Sequence, residues 1–301
     1  MLTHLVDSYL DLRRATGFGM KVHQYLLHGF ASFAAQRGET HIRTCTAIAW
    51  AAQAPSEGQR ANRLGMLRVF ARFAHAEDAR HEVPPDRVFH ARRVHYRPFL
   101  FTPDQLHDLL VRASKLPPAE SIRPWTFATL FSLLAVTGLR ISEALNLRLA
   151  DITDDGLLIR ETKFHKSRLV PVHPTTMAAL QRYLEHRRIA KDDHVFLSLR
   201  GRGIRYSGVV TVFLRLVRAM GIHPGPGQSG PRIHDLRHGF AIRVIESCTG
   251  DRTAVDSSMV ALMTYMGHGR IDSTYWYLHA TPRMLAQASE MAEASTNGGR
   301  S

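Results

Sequence analysis

Cysteine is nearly missing from this 301-residue chain. Only Cys45 and Cys248 occur, far apart and in no CxxC spacing. That argues against a disulfide framework and against a thiolate zinc site, so both are expected as reduced core thiols. Long hydrophobic runs are also missing. Nothing approaches 18 consecutive apolar residues, and the opening MLTHLVDSYLDLRR lacks a basic region leading into a signal core. The expectation is a cytoplasmic protein with no membrane partner. Acidic residues are few, 26 against 39 Lys plus Arg, and they form no carboxylate cluster of the kind that holds a catalytic divalent ion. No metal and no cofactor is expected.

What is abundant is positive charge, +13 in total. Residues 1–98 carry +6 and residues 99–301 carry +7, so the excess is no single basic tail. A polyanionic partner suits both halves, against the plainer alternative of a basic surface kept for solubility.

Hydrophobic spacing divides the chain. LTHLVDSYLDLRR, KVHQYLLHGFASFAAQRG and RANRLGMLRVFARFAHA repeat apolar residues every three or four positions, so residues 1–83 read as a small helical unit, with Gly38 stopping its second helix. PPDRVFHARRVHYRPFL breaks the period and concentrates Arg87, Arg92, Arg93 and Arg97, so residues 84–100 read as a basic linker. It either joins domains in solvent or lies on phosphates. A second domain then spans 101–301. Thr102, Pro103 and Gln105 form a capping-box start, WTFATLFSLLAVTG is a buried helix stopped by Gly138, and LRISEALNLR begins another. LLIRET and RLVPV flank a polar turn and read as a β-hairpin carrying Lys163 and Lys166. Helices follow from about Pro174, over YSGVVTVFLRLVRAMG and over RIHDLRHGFAIRVIES. The fold class is mainly α with a small antiparallel β-sheet.

Arg140, Lys163, His234, Arg237 and His268 put strong donors beside apolar scaffolding. Singly each is weak: an arginine after a turn is usually an ion-pair residue, and His234 with His238 at i, i+4 lacks the glutamate of HExxH. Together they suit attack on a phosphodiester. Two forked guanidiniums, Arg140 and Arg237, match the oxygens of a five-coordinate phosphorus. A tyrosine attacking near neutral pH needs cationic neighbours and a proton acceptor, for which His234 is placed. A lysine on a hairpin, Lys163, can protonate the departing oxygen.

LLAVTGLRISEALNL, TKFHKSRLVPV, IHDLRHGFA and MGHGRIDSTYWYLH, in this order, resemble the tyrosine recombinase, or phage integrase, family over about residues 100–285. The resemblance implies a two-domain clamp on double-stranded DNA, with residues 1–83 as the core-binding domain. It implies Arg140 and Arg237 as the catalytic arginines, Lys163 as general acid, and His234 and His268 as supporting groups. Tyr277, nine residues after His268, is then the nucleophile. Glu143 is expected in a supporting role, and Arg92, Arg93, Arg97, Lys166 and Arg168 on DNA. Three departures stand out. His238-Gly239 replaces the usual His-Ser or His-Thr; TKFHKSR leaves Lys166 a rival to Lys163; and the segment before Gly267 is a few residues longer than usual.

The implied reaction is strand exchange through a 3′-phosphotyrosyl link, for integration, excision or transposition of a mobile element. Four protomers are implied, as a homotetramer or mixed with companion recombinases, with residues 281–294 a candidate helix for exchange between them. Two rival readings are a topoisomerase or resolvase using the same residues, and an architectural DNA-binding subunit without catalysis. In a helix Tyr275 and Tyr277 point about 200° apart, so Tyr275, Trp276 and Tyr265 are expected to pack.

Overall fold

The computed structural model describes residues 2–90, 98–160, 167–187, 191–225, 230–247 and 252–267. The chain divides into two compact units, residues 1–95 and 96–301.

In the first unit four helices, α1 (Leu2–Ala15), α2 (Lys21–Ala35), α3 (Thr44–Ala52) and α4 (Glu57–Glu77), enclose one core. Leu10, Leu27, Phe30, Leu67 and Phe70 are buried in it. Each such side chain contributes roughly 2 kcal/mol when removed from water. Helix α3 was not among the expected elements. Its sequence, TCTAIAWAA, is short and apolar nearly throughout, which hides any period. Thr46, Ala47, Trp50 and Ala51 form its buried stripe, and Trp50 meets Phe30 edge-on at 5.5 Å. That stripe turns Cys45 outward, so this thiol is exposed rather than in the core. Cys248 lies outside the described residues.

The second unit is built around α6 (Ile122–Thr137), whose Phe127, Leu130, Phe131, Leu133 and Leu134 are all buried. A helix apolar on all sides must be wrapped, and α5 (Pro103–Ala113), α8 (Pro174–His186) and α10 (Asp235–Ser247) wrap it. Helix α5 starts on the capping box read from the sequence. Gln105 N–H donates to Thr102 Oγ1 at 3.2 Å, and Thr102 N–H donates to Gln105 Oε1 at 3.0 Å. After α6 come α7 (Ile141–Asn146), a short 3₁₀ turn and a three-stranded antiparallel sheet in the order β1 (Ile152–Thr153), β2 (Gly156–Ile159), β3 (Arg168–Val170). The expected hairpin is therefore present with shorter strands and one additional strand, β1, too brief to show a period. Leu157 pairs with Val170 and Ile159 with Arg168. Helix α9 (Tyr206–Ala219) joins the same core, and α11 (Arg252–Met266) packs on α10 through Met259, Leu262 and Met266 against Ala241, Ile242 and Ile245.

Gly138 ends α6 at φ 60°, and a Cβ there would overlap the Phe240 ring. Left-handed backbone costs a non-glycine residue about 1–2 kcal/mol, and the ring must also move. Gly138→Ala is therefore expected to lower unfolding stability by about 2 kcal/mol or more, read as a shift in the urea midpoint at unchanged slope. An unshifted midpoint would contradict the fit around this glycine.

Candidate active site

Gly138 turns the chain so that Arg140 becomes the N-cap of α7, and Glu143 sits one turn on. Arg140 N–H donates to Glu143 Oε2 at 2.9 Å and its Nη1 to Glu143 Oε1 at 2.7 Å. The same guanidinium reaches across to α11, with Nη2 donating to the Gly267 carbonyl at 2.9 Å. About a third of its side chain, 31%, stays exposed.

Arg237 comes from the first turn of α10 and is 2% exposed. Its Nη1 donates to the Gly138 carbonyl at 2.5 Å and its Nη2 to the Met266 carbonyl at 2.9 Å. Arg168 completes the group from β3. Its Nη1 and Nη2 donate to Glu143 Oε1 and Oε2 at 3.0 and 2.8 Å, and its Nε donates to the Tyr265 carbonyl at 3.0 Å. Three guanidiniums thus meet at the C-terminal end of α11, where unpaired carbonyls and the negative end of the helix dipole favour cations.

Arg168 departs from the expectation of a DNA-contacting surface residue. Strand side chains alternate between faces, and Arg168 shares the inward face with Val170 while Leu169 between them is 46% exposed. Its fork is spent on Glu143, and its side chain is only 15% exposed.

His234 lies in the turn before α10. His238 stands one turn on, its ring edge-on to His234 at 4.7 Å. The residue keeps a solvent-exposed edge, yet crowding on its other side, then the positive charges of Arg237 and Arg140, hold its imidazole neutral down to about 4, with Glu143 opposing. Glu143 is buried. Burial alone would push its carboxyl up, but hydrogen bonds from Arg168 and from the Arg140 backbone hold it below the usual carboxylate range.

Gly239, where a hydroxyl residue was the familiar choice, has a local reason. A Cβ there would stand 3.1 Å from Arg243 Nη1, and Arg243 Nη2 donates to the Ala135 carbonyl at 2.7 Å. Tyr265 packs as expected, stacked on Phe240 at 5.7 Å. Lys163, Lys166, His268, Tyr275, Trp276, Tyr277, Arg92, Arg93, Arg97 and residues 281–294 lie outside the described residues.

Sequence reasoning paired the two arginines but missed two features. One is the set of α11 carbonyls they hold; backbone acceptors leave no trace in residue type. The other is the sharing of Glu143, for which the Arg-x-x-Glu spacing across a helix start was a usable sign.

Among the described residues, two other groups have ligand atoms close enough for a metal, His41 with Asp78 and His81, and Asp192 with Asp193 and His194. Neither suits one as arranged. His81 Nδ1 accepts from Ile42 N–H, which leaves the ring proton on the other nitrogen, and Arg80 occupies Asp78. Asp192 is occupied by the Gly203 and His194 backbone N–H groups.

A model of the phage integrase family matches residues 100–284. The Sinorhizobium fredii protein y4rB, an integrase/recombinase by its name, is 37% identical over 96% of this chain and 96% of its own. Tyrosine recombinase XerD of Chlamydia trachomatis is 28% identical over 77% of this chain and 74% of its own. Among solved structures, the Tn1549 transposon integrase with a circular intermediate DNA shares the fold at TM-score 0.67 and 18% identity, covering 97% of this chain and 99% of that one. A lambda integrase dimer bound to a core site does so at TM-score 0.62 and 20% identity, covering 94% and 77%. With its helical second unit, its small sheet and a family match across that unit, the chain belongs to the phage integrase family and is a tyrosine recombinase, an enzyme that cuts and rejoins DNA.

Proposed function

We propose that this chain is a site-specific recombinase of a mobile element and that Tyr277 is its nucleophile. The observation that carries the reading is the convergence of Arg140 and Arg237 on the end of α11, ten residues before Tyr277 in the chain. A scissile phosphate accepted by Arg140 and Arg237 gains a planar, permanently charged fork from each. The Tyr277 oxygen attacks phosphorus, the P–O5′ bond breaks, and Lys163 supplies the proton to the departing 5′ oxygen. His234, neutral at physiological pH, is available to take the tyrosine proton. The negative charge of a bound phosphate offsets the neighbouring guanidiniums and raises its basicity. A 5′ hydroxyl from a partner strand then attacks the phosphotyrosine, releasing Tyr277 and restoring a phosphodiester. The covalent link conserves the bond energy, so no nucleotide cofactor enters.

Double-stranded DNA is the proposed partner, held by residues 1–83 and the catalytic unit, with the linker 84–100 on the phosphates through Arg92, Arg93 and Arg97. Lys166 is proposed as a further contact from the hairpin. His268 is proposed as a further supporting residue. A tetramer is the proposed working assembly, with residues 281–294 passed between neighbours. In support, a lambda integrase tetramer bound to a Holliday junction shares the fold at TM-score 0.62. The mobile-element role is supported by the integrase/recombinase y4rB and by the transposon integrase of like fold.

The test uses end-labelled duplexes tiled across the DNA flanking the coding gene, each nicked so that cleavage releases a short fragment and prevents religation. A labelled band that co-migrates with the protein on a denaturing gel is expected for at least one duplex. No such band from any duplex would overturn the reading.

A further inference from the structure

Glu143 is a carboxylate with four hydrogen bonds and two cations. Oε1 accepts from Arg140 Nη1 and Arg168 Nη1, and Oε2 accepts from the Arg140 backbone and Arg168 Nη2. Arg168 therefore takes both oxygens with its forked end, whereas the Arg140 side chain makes only one bond to Glu143. The division matters because Glu143 is buried, its side chain 6% exposed, and a buried anion demands full pairing. Were Arg168 absent, Arg140 would be the one cation left paired with the carboxylate among the described residues, and a bidentate pairing would draw its guanidinium inward. The exposed part of Arg140 is what a phosphate would meet.

A second set of contacts locates Arg168 itself. Its Nε holds the Tyr265 carbonyl, and its guanidinium lies against Gly267, where a Cβ would stand 2.9 Å from Nη1 and 3.1 Å from Cζ. Gly267 adopts φ 65°, in the left-handed region that favours glycine, so both the backbone and the space call for it. Arg168 also begins β3, the strand that returns from the segment bearing Lys163. One side chain thus ties the returning strand, the α7 carboxylate and the α11 terminus together.

We propose that Arg168 is a positioning residue of the recombination reaction, which saturates Glu143 so that Arg140 remains turned outward for the phosphate. This rests on the role proposed for Arg140 above. It assigns to Arg168 an effect on rate that passes through Glu143 and involves no contact with DNA.

The experiment compares Arg168→Met, Glu143→Gln and the double variant with the wild type on the nicked duplex that gives the strongest wild-type adduct. Three readouts are taken: the rate of adduct formation, affinity for the same duplex by gel shift, and thermal unfolding. Arg168→Met is expected to slow adduct formation about 10- to 100-fold, the scale of a small misplacement of a group that meets the reacting phosphate, with little change in affinity. Adding Glu143→Gln, which removes the unpaired charge, is expected to restore about 10-fold of that loss. An arginine with a purely structural role instead moves the unfolding temperature, lowered in the single variant and regained in the double, while the adduct rate of the folded protein stays at the wild-type value. If Arg168→Met unfolds, Arg168→Lys alone and with Glu143→Gln makes the same comparison. An unchanged rate in the single variant, or no rescue in the double, overturns the inference while the wild-type adduct leaves the recombinase reading intact. Absence of the wild-type adduct itself overturns both.

Discussion

Tyr277→Phe is expected to abolish the covalent protein–DNA adduct, while Tyr275→Phe leaves it within a few-fold of wild type. Phenylalanine keeps the ring and its packing but has no oxygen to bond to phosphorus, so the loss is one of chemistry and not of fold. Removing the nucleophile of a covalent mechanism typically costs on the order of 10⁶-fold in rate, far below what a gel detects. The two tyrosines are separated by a single residue, Trp276, which makes the comparison sharp: a helix would direct them about 200° apart, and only one can address a given phosphate. Three measurements belong together: adduct yield on the nicked duplex, affinity for the intact duplex, and melting temperature. An adduct that persists in Tyr277→Phe would overturn the nucleophile assignment. Adduct lost in Tyr275→Phe with its affinity retained would transfer the role to Tyr275.

Arg237→Ala is expected to lose both activity and stability, and Arg237→Lys mainly activity. The side chain is 2% exposed and holds the carbonyls of Gly138 and Met266. Truncation deprives both buried acceptors of this donor, at about 1–3 kcal/mol for each left unpaired, which shortens the denaturation midpoint noticeably in a protein of ordinary marginal stability. The catalytic loss is expected at about 10³-fold or more, the scale of removing an arginine that stabilises phosphoryl-transfer charge. Lysine keeps the charge but not the planar fork, so one ammonium must choose among two carbonyls and a phosphate. The discriminating result is the lysine variant: stability recovered in part, adduct formation still slow. A lysine variant with wild-type cleavage would show that charge alone suffices and that the forked geometry is unnecessary.

Much of this is legible in the residues themselves. The stop at Gly138 and the capping box at Thr102 and Gln105 are local signals, written within a few residues, and both stand in the structure. The meeting of Arg140 with Arg237, almost a hundred residues apart in the chain, was expected from chemistry, since one phosphate needs both forks. What escaped had physical causes. Helix α3 carries small apolar residues nearly throughout, so it lacks the polar face that reveals a period. Arg168 faces inward beside Val170 while Leu169 faces water, the reverse of what hydrophobicity alone suggests. Strand alternation puts Arg168 on the face of Val170, and Glu143 supplies the partner that lets a guanidinium stay there. Pattern does not choose between Lys163 and Lys166, because both stand within one short polar stretch of the sequence.

The arginine cluster at the end of α11 has a consequence for encounter frequency. Because Gly267 is fastened there by Arg140, the ten residues that lead from it to Tyr277 in the sequence start from a fixed origin. At no more than about 3.6 Å per residue, chain length alone keeps the Tyr277 hydroxyl within about 40 Å of that origin. A group confined to so small a volume is present at an effective concentration in the millimolar range, whatever the protein concentration around it. With Tyr277 as the proposed nucleophile, the fastening point bounds how dilute it can be relative to the phosphate, and loosening that point would dilute the reaction without altering either reactant.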